Sequence, residues 1–325
     1  MALIYSTHDL HPKAVDALAG LGSFTIASAL EPATLIEEAR AAEILIVRAP
    51  IPPALFEAAP NLRAAIRHGA GVDMIPIEAA TAAGVLVANA PGTNARSVAE
   101  HVFFVTLGLL RRFRQIDGGL RHRGWLAGRA FADEAGELSG RTMGLVGYGA
   151  IGAAVARIAR HGFDMRVLAT RRRPIDVAEG VEACSLDEML SRSDVVVLAC
   201  PLNEETRGLI DARRLSLLKP DALLVNVARG PVVDEDALIS ALAAGRIGGA
   251  ALDVFTAQPL ASDHPLLDFD NVILTPHLAG ITNDSMARMG LTVVEETRRI
   301  LEGGLPANFV NPQVTAAYRT RFPAR

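Results

Sequence analysis

This chain of 325 residues has few cysteines and no large excess of charge of either sign. Its two cysteines, Cys184 and Cys200, are too few for a disulfide framework or a zinc site, so we expect reduced thiols and no metal. Lys and Arg number 32 against 36 Asp and Glu, a net charge of −4. Because this leaves no broad cationic surface for duplex phosphates, no nucleic-acid partner is expected.

Long apolar runs and a leader are also absent. The opening MALIYSTHDLHPKAVDALAG has no basic segment followed by a long apolar core, and no other apolar run reaches the length of a membrane span. We therefore expect a cytoplasmic protein without anchor, export signal or membrane partner. Half of the residues are hydrophobic and only 21% are charged, which excludes a disordered or low-complexity chain. The length predicts two domains at roughly 150 residues each.

Short runs rich in Val, Ile and Leu alternate with Ala-rich amphipathic stretches, which predicts an α/β fold with parallel sheets. The alternation occurs twice. The first series has strands at Ala2–Tyr5, Phe24–Ala27, Ile44–Val47, Ala64–Arg67 and Val85–Val87, with helices at His11–Leu21 and Pro32–Ala42. The second has Thr142–Val146, Met165–Ala169, Asp194–Ala199, Ala222–Val227, Gly249–Val254 and Asn271–Thr275, the six strands of a doubly wound nucleotide-binding fold.

Two helices are predicted to connect the series. We interpret Asn94–Asp117 as one long helix that carries the chain from the first domain to the second, and Asp284–Leu301 as the helix that brings it back. The first domain is then discontinuous, with residues 1–97 plus 293–325, and the second spans residues 98–292. A cleft between two such domains is a usual place for a small-molecule site.

A glycine-rich turn follows the first strand of the second series. Residues Gly147, Tyr148, Gly149, Ala150, Ile151 and Gly152 form a GxGxxG motif between the strand MGLV and a helix predicted at Ala153–His161. The first glycine permits a tight turn, the second lets the backbone approach a pyrophosphate, and the third allows close helix packing, while the first helical amides attract the anion. This context predicts a dinucleotide site.

The next strand ends without the carboxylate that is typical of an NAD site. An Asp or Glu about 20 residues after the motif ordinarily accepts hydrogen bonds from the adenosine ribose. Here Thr170 is followed by Arg171, Arg172 and Arg173. A hydroxyl and guanidinium groups instead offer donors and positive charge to a 2′-phosphate. We therefore predict a preference for NADP(H), with NAD(H) as the other cofactor; a solvated basic turn before Pro174 is the alternative interpretation.

Further polar segments lie at the ends of later strands, the edge where open α/β sheets bind ligands. Together with the glycine motif, these segments make the chain resemble the D-isomer-specific 2-hydroxyacid dehydrogenase family. This family includes phosphoglycerate, glyoxylate/hydroxypyruvate and formate dehydrogenases. The matching stretches span nearly the whole chain: His68–Asp73, Asn94–His101, Gly147–Gly152, Pro201–Ile210, Asn226–Val233 and Thr275–Gly280. The resemblance implies a Rossmann NAD(P)-binding domain and a smaller, flavodoxin-like substrate domain.

The resemblance also implies roles for single residues. Arg229 would bind the substrate carboxylate and carbonyl, His277 would be the acid/base, and Asp253 would hold the nicotinamide carboxamide. These roles fit the chemistry, because hydride addition to a 2-oxo acid builds negative charge on an oxygen that a guanidinium stabilises and an imidazolium protonates. The remaining expected contacts are the backbone of Gly69, Ala70 and Gly71 as a carboxylate cradle, and Cys200, Pro201, Thr206, Val227, Ala228, His277 and Gly280 along the cofactor.

One catalytic position departs from the family pattern. Members usually carry a glutamate immediately before the proline at 259, where it pairs with the histidine; this chain has Gln258, as formate dehydrogenases of the family do. An amide can orient the imidazole but cannot stabilise its charged form by opposite charge. We therefore expect His277 to lose its proton at a lower pH than in Glu-bearing relatives. A neutral surface glutamine is the alternative.

Other polar residues leave alternatives open. Arg48 follows the strand ILIV, and Arg96 and Ser97 open the first connecting helix; each could contact a second anionic group of the substrate, or be a charged loop and a helix start. We do not expect Glu100 and His101 to act as an acid/base pair, because adjacent helix positions point in different directions.

The expected function is hydride transfer between NADP(H) or NAD(H) and a small 2-oxo or 2-hydroxy acid, with glyoxylate and hydroxypyruvate as first candidates. The alternatives are a phosphoglycerate dehydrogenase without a regulatory domain, a formate dehydrogenase-like enzyme, and a non-catalytic dinucleotide-sensing interaction protein. The family also implies a homodimer, with contacts expected at Val102–Leu110 and at Arg121–Glu137 around Trp125.

Overall fold

The computed structural model describes residues 1–170 and 177–323, which form two compact units. Unit 1 contains Met1–Asn94 and the chain from Ile281 onward, and unit 2 contains Ala95–Gly280. The sequence predicts these boundaries at 97/98 and 292/293. The second observed boundary lies earlier because the long helix that starts at Asn283 packs along its length on a helix and a strand of unit 1.

Unit 1 is an α/β unit with a five-stranded parallel sheet. Its elements are β1 (Ala2–Ser6), α1 (Pro12–Leu18), β2 (Gly22–Ile26), α2 (Pro32–Glu38), β3 (Ile44–Val47), α3 (Leu55–Ala58), β4 (Ala64–Arg67), α4 (Ile77–Ala82) and β5 (Leu86–Ala88). The strand order β2-β1-β3-β4-β5 is that of flavodoxin-like doubly wound sheets, which confirms the predicted fold of this domain. The two predicted helices are present but shorter.

The strand β3 of unit 1 is apolar on both faces because both faces are covered. Along β3, Leu45 and Val47 pack into one core cluster, whereas Ile44 and Ile46 pack into the other. This alternation explains why the strand reads as a continuous apolar run.

Unit 2 is built on a seven-stranded parallel sheet. Its elements are α5 (Ala95–Leu110), α6 (Phe113–Arg123), α7 (Trp125–Arg129), β6 (Thr142–Val146), α8 (Ala150–Phe163), β7 (Arg166–Thr170), β8 (Val181–Ala183), α9 (Leu186–Arg192), β9 (Val195–Leu198), α10 (Ala212–Leu215), β10 (Leu223–Asn226), α11 (Glu235–Ala243), β11 (Gly249–Leu252) and β12 (Val272–Leu274). The chain then returns to unit 1, where α12 (Asn283–Leu301) packs against α1 and β4, and α13 (Thr315–Arg321) follows.

The strand order of this sheet is β12-β11-β10-β9-β6-β7-β8. The six predicted strands are all present, and the short β8 adds a seventh at the edge next to β7. The order reverses between β6 and β9, and doubly wound sheets bind their ligands at such a reversal, outside the carboxyl ends of the strands. The predicted Rossmann fold is confirmed.

The prediction of a single long helix at Asn94–Asp117 is wrong. The chain forms two helices instead, because Arg112 adopts a left-handed conformation with φ of 50°. The carbonyl of Leu110 accepts a hydrogen bond from the amide of Gly136 at 2.8 Å, and the Arg112 guanidinium pairs with Glu134 at 3.0 Å. Both partners, Gly136 and Glu134, belong to a later segment of the chain. Across the described part of the chain, no helix has the length and hydropathy needed to cross a bilayer.

Candidate active site

The GxGxxG motif forms the turn between β6 and α8. Gly147 has φ of 97°, and a Cβ there would lie 2.9 Å from backbone atoms of Cys200. A Cβ on Gly152 would lie 2.3 Å from the carbonyl oxygen of Gly147. At Gly149, by contrast, a Cβ would meet nothing within 4 Å. The outer two glycines are therefore required by close backbone packing, and the middle one lies beside open space that can receive a pyrophosphate.

The start of α8 suits an anion. The helix begins at Ala150 with Gly149 as its N-cap, and no side chain caps it. Amides in the first turn of a helix lack intrahelical partners and carry the positive end of the helix dipole. A cavity of about 560 Å³ adjoins the turn, and its lining includes Thr170, Pro201 and Thr206. These residues fit a nicotinamide dinucleotide.

Several of the sequence-predicted cofactor residues line this cavity, namely Gly147, Tyr148, Gly149, Thr170, Cys200, Pro201 and Thr206. The carbonyl of Thr170, at the end of β7, accepts a hydrogen bond from the Gly147 amide at 3.0 Å. The Thr206 hydroxyl donates to the carbonyl of Pro201 at 2.7 Å and so shapes the loop at the cavity wall. Burial raises the pKa of the Cys200 thiol, which keeps this wall uncharged. Arg171 and Arg172 lie outside the described residues.

The predicted substrate-binding arginine follows β10. Asn226, at the end of this strand, accepts from the amide of Ala228 and donates to the carbonyl of Arg229, both at 3.0 Å. The Arg229 guanidinium donates to the carbonyl of Ala228 at 2.7 Å. A Cβ on Gly230 would lie 2.0 Å from the carbonyl of Phe255, so this turn rests directly on the backbone that follows β11.

The predicted acid/base histidine reaches the same strand edge. β10, β11 and β12 are neighbours, with Asn226 opposite Leu252 and Leu252 opposite Leu274, so the three following segments start side by side. Nδ1 of His277 lies 3.2 Å from Oε1 of Gln258. Because an amide oxygen only accepts, Nδ1 carries the hydrogen in this contact.

Asp253 holds the turn that carries His277. Its buried carboxylate accepts hydrogen bonds from the Thr275 hydroxyl at 2.6 Å, the Leu278 amide at 2.8 Å and the Ala279 amide at 2.9 Å. Its carbonyl also accepts from the His277 amide at 2.8 Å. Sequence reasoning assigned Asp253 to the cofactor alone and missed this second role. The sequence does carry a signal for this role. Asp253 comes directly after one apolar strand, and Thr275-Pro276-His277 comes directly after the next strand along the chain.

The remaining predicted cofactor residues of unit 2 lie at the same edge. The amide of Val227 donates to the carbonyl of Leu198 at 3.2 Å, which joins the end of β10 to that of β9. Ala228 is buried beside Arg229, and Gly280 is the last residue of the unit, directly after the turn that Asp253 holds. The backbone at these positions therefore follows the carboxyl ends of β10 and β12.

His101 also reaches this turn. It is half-buried on α5, and its Nε2 lies 3.3 Å from the Thr275 hydroxyl oxygen. Burial lowers its pKa, against the opposing effect of the Asp253 charge. Its neighbour Glu100 pairs instead with Arg96 at the surface, at 2.9 Å. The two residues do point in different directions, as expected, but sequence reasoning set His101 aside together with Glu100.

In unit 1, the loop after β4 has its carbonyl groups tied back into the unit. The carbonyl of Gly69 accepts from the Ala90 amide at 2.9 Å. That of Ala70 accepts from the Asn89 side chain at 2.7 Å, and that of Gly71 accepts from Nε of Arg67 at 3.0 Å. Among the described residues, the amides of Ala70 and Gly71 donate to no acceptor. Such amides can bind an anion, and neither Arg67 nor Asn89 was foreseen from the sequence.

Arg48 follows β3 in the same unit and is held by it. Its amide donates to the Thr7 hydroxyl at 2.8 Å, and its guanidinium donates to the carbonyl of Asp9. Burial lowers the pKa of Arg48. Burial, reinforced by the charges of Arg48 and Arg67, lowers the pKa of the adjacent His68 to about 4. This end of the sheet is therefore rich in cationic groups.

Comparison with known proteins begins with a family model. Residues 103–279 match the model described as D-isomer specific 2-hydroxyacid dehydrogenase, NAD binding domain. The chain is 40% identical over 269 residues to the glyoxylate reductase of Korarchaeum cryptofilum, covering 82% of this chain and 81% of that protein. It is 37% identical over 317 residues to the D-3-phosphoglycerate dehydrogenase of Methanocaldococcus jannaschii, covering 96% of this chain and 60% of that protein.

A solved structure supports the same relationship. The NADPH-dependent glyoxylate/hydroxypyruvate reductase of Sinorhizobium meliloti, in complex with NADP and malonate, superposes with a TM-score of 0.84. The two chains are 29% identical, and the match covers 95% of this chain and 96% of the other. The chain therefore belongs to the D-isomer-specific 2-hydroxyacid dehydrogenase family and is an NAD(P)-dependent oxidoreductase that acts on CH–OH donors.

Proposed function

We propose that this enzyme reduces small 2-oxo acids, with glyoxylate and hydroxypyruvate as its best substrates and NADPH as its preferred cofactor. The observation that carries the proposal is the placement of Arg229, Asp253 and His277 after three neighbouring strands of one parallel sheet. The relatives named glyoxylate reductase, and the related reductase solved with NADP and malonate, support the substrate class and the cofactor.

The residues of unit 2 would divide the reaction as follows. Arg229 binds the carboxylate and the carbonyl oxygen of the 2-oxo acid and stabilises the negative charge that develops there. The bound nicotinamide supplies the hydride. His277 donates the proton from Nε2 to the same oxygen, and Gln258 keeps the ring oriented through Nδ1. Oδ2 of Asp253 accepts one hydrogen bond within the described residues, so it has capacity left for the cofactor carboxamide.

The cofactor preference rests on the end of β7. Thr170 offers a hydroxyl at the position where a carboxylate would repel a 2′-phosphate, and arginines follow it in the sequence. Fluorescence titrations with NADPH and NADH test this preference. Tighter binding of NADPH is expected, and equal or tighter binding of NADH would refute it.

The activity is tested with a panel of acids and both cofactors, followed by absorbance of the reduced nicotinamide. Glyoxylate and hydroxypyruvate should be turned over fastest with NADPH. An Arg229→Ala variant should lose roughly 100-fold or more in kcat/KM, and Arg229→Lys should recover only part of it, because an ammonium cannot bind the carboxylate in bidentate fashion. Tight NADPH binding without turnover of any acid would overturn the proposal in favour of a sensing protein.

A second candidate is oxidation of D-3-phosphoglycerate. It is favoured by the similarity to a D-3-phosphoglycerate dehydrogenase over 96% of this chain. The cationic end of the unit 1 sheet, with Arg48 and Arg67, offers charges that a phosphate could use. Turnover of D-3-phosphoglycerate with NAD⁺ or NADP⁺ at a higher kcat/KM than glyoxylate reduction would make it the first candidate.

We further propose that the enzyme is a homodimer formed through α5, α6 and α7. These helices expose large apolar side chains, including Phe104 at 63%, Trp125 at 69% and Leu126 at 81% exposure. Large apolar side chains exposed to this extent are typical of an interface. Sedimentation should give twice the mass of one chain, and a Trp125→Glu, Leu126→Glu variant should shift it towards the monomer. A monomeric wild-type protein would contradict the proposal.

A further inference from the structure

We propose that His101 is a positioning residue for this reaction, which acts through Thr275 and Asp253 to hold the turn that carries His277. The proposal rests on the proposed function only in taking His277 as the acid/base. The hydrogen-bond chain itself lies entirely within unit 2 and can be measured without turnover.

The direction of each hydrogen bond in the chain follows from the donors available. The Thr275 hydroxyl has one hydrogen, and its 2.6 Å contact with Oδ1 of Asp253 uses it, because a carboxylate only accepts. The hydroxyl oxygen can then only accept from His101, 3.3 Å away. His101 must therefore carry its hydrogen on Nε2. The chain runs from the imidazole to the hydroxyl to the carboxylate.

The carboxylate connects this chain to the catalytic turn. Oδ1 of Asp253 accepts from the amide of Leu278, and Oδ2 accepts from the amide of Ala279. These two residues directly follow His277. Rotation of the Asp253 carboxylate would weaken both bonds together. The Thr275 hydroxyl opposes that rotation, and His101 opposes rotation of the hydroxyl.

The turn needs such support because of its backbone conformation. His277 has φ of 55°, in the left-handed region that residues with a Cβ rarely adopt. A residue keeps such a conformation only when the surrounding contacts over-determine it. The Asp253 carbonyl and carboxylate supply three contacts to positions 277, 278 and 279. The direction of the His277 side chain therefore depends on the Asp253 side chain staying in place.

His101 is suited to this task by its place on α5. The helix packs against β10, β11 and β12, the strands whose ends carry the site, so the imidazole is fixed to the same sheet. His101 is half-buried, which limits competition from water for the Thr275 hydroxyl. A side chain of similar reach with an N–H at its end could replace it, whereas an apolar one could not.

Two variants of His101 separate positioning from packing. His101→Gln keeps a donor at a similar distance from Thr275, and His101→Leu removes it. We expect His101→Leu to lower kcat for glyoxylate about fivefold, the size of one net hydrogen bond, with the KM for glyoxylate unchanged. His101→Gln should restore most of kcat. Glu100→Gln is the matched control on the same turn of α5, and it should leave kcat unchanged.

Hydrogen exchange of the 277–280 segment provides a readout independent of activity. His101→Leu should speed exchange of the Leu278 and Ala279 amides about fivefold, and His101→Gln should not. If these rates change but no 2-oxo acid is turned over, the proposed function fails and the positioning role stands. If glyoxylate is reduced but exchange and kcat are the same in His101→Leu as in wild type, the positioning role is overturned.

A double-variant cycle tests whether His101 acts through Thr275. Thr275→Val removes the hydroxyl, so adding His101→Leu to it should cause no further loss of kcat and no further rise in exchange. Thr275→Ser keeps the hydroxyl and should behave as wild type. Independent, additive losses in the double variant would show that His101 supports the site by packing alone, which contradicts the proposal.

Discussion

The two glycine-containing loops of this enzyme, one after β6 in unit 2 and one after β4 in unit 1, are held in different ways. The loop from Gly147 to Gly152 is shaped by backbone packing and runs straight into a helix whose first turn has no side-chain cap. The loop from Gly69 to Gly71 is followed by no such helix, and its carbonyl groups are held by Arg67, Asn89 and the Ala90 amide.

This difference shows which residues determine the conformation of each loop. The first loop needs glycines at fixed spacing, since backbone atoms lie close to Gly147 and Gly152, and its positive potential comes from the helix itself. The second needs the side chains of Arg67 and Asn89 to turn its carbonyls away and leave amides for an anion. We therefore expect the first loop to be damaged by substitutions that add a side chain at a glycine. The second loop should be damaged by substitutions that remove the side chains holding its carbonyl groups.

The largest effect is expected from adding atoms to the first loop. In Gly152→Val the new Cβ would lie 2.3 Å from the Gly147 carbonyl oxygen, so the turn must open. NADPH binding should weaken at least roughly 100-fold, about 3 kcal/mol. Fluorescence titration measures it. Gly162→Ala is the matched control in the same helix, because its Cβ would meet only Ile158 at an ordinary 3.8 Å. Unchanged NADPH binding in Gly152→Val would show that packing does not shape the loop.

Local patterns predicted much of the molecule. Runs of apolar residues predicted six strands of unit 2 in their correct places, and the glycine spacing predicted the turn into α8. The break at Arg112 was not predictable, because it depends on Glu134 and Gly136 from a later segment. The bonds from Asn89 to the unit 1 loop and from His101 to Thr275 were missed for the same reason: tertiary packing sets them, and no short motif encodes them.

A second large effect concerns the stability of unit 1 at acidic pH. His68, next to the unit 1 loop, is 3% exposed, its Nε2 has no partner among the described residues, and its pKa is about 4. In the unfolded chain a histidine titrates near 6.5. The unfolded state therefore binds more protons between these values, so the free energy of unfolding falls as the pH falls from 6.5 to 4, by about 3 kcal/mol in total.

Denaturant unfolding at pH 7 and pH 4.5 tests this expectation, with hydrogen exchange of β4 and α12 reporting on unit 1. His68→Leu should remove the greater part of the pH dependence in those elements, because no proton can then be taken up at this site on unfolding. An equal loss of stability on acidification in wild type and His68→Leu would mean that other groups cause it.

A smaller effect is expected from removing atoms beside the second loop. Asn89→Ala takes away the donor to the Ala70 carbonyl, so that carbonyl can turn towards a bound anion. The KM for glyoxylate should rise roughly five- to tenfold, while the dissociation constant for NADPH stays the same. Steady-state kinetics and cofactor titration measure the two quantities. Asn61→Ala, an exposed asparagine of the same unit, is the control and should change neither. A weaker NADPH affinity in Asn89→Ala would contradict the separation of the two loops.

The smallest effect concerns a side chain that changes charge rather than shape. In unit 2, Oε1 of Gln258 lies 3.2 Å from Nδ1 of His277 and carries no net charge. In Gln258→Glu, a carboxylate at this distance favours the imidazolium and raises the pKa of His277. Reduction needs that proton, so the alkaline limb of the kcat profile should move to higher pH by about one unit.

The control for this prediction is Gln313→Glu, which makes the same charge change at an exposed position of unit 1. Its pH profile should match that of the wild type, because an exposed charge is screened by solvent. If the alkaline limb moves equally in both variants, net charge rather than the Gln258 contact sets it. If it moves in neither, His277 does not supply the proton that limits reduction, or Gln258 does not act on it. A shift confined to Gln258→Glu would show that a single amide sets the upper pH limit of this enzyme.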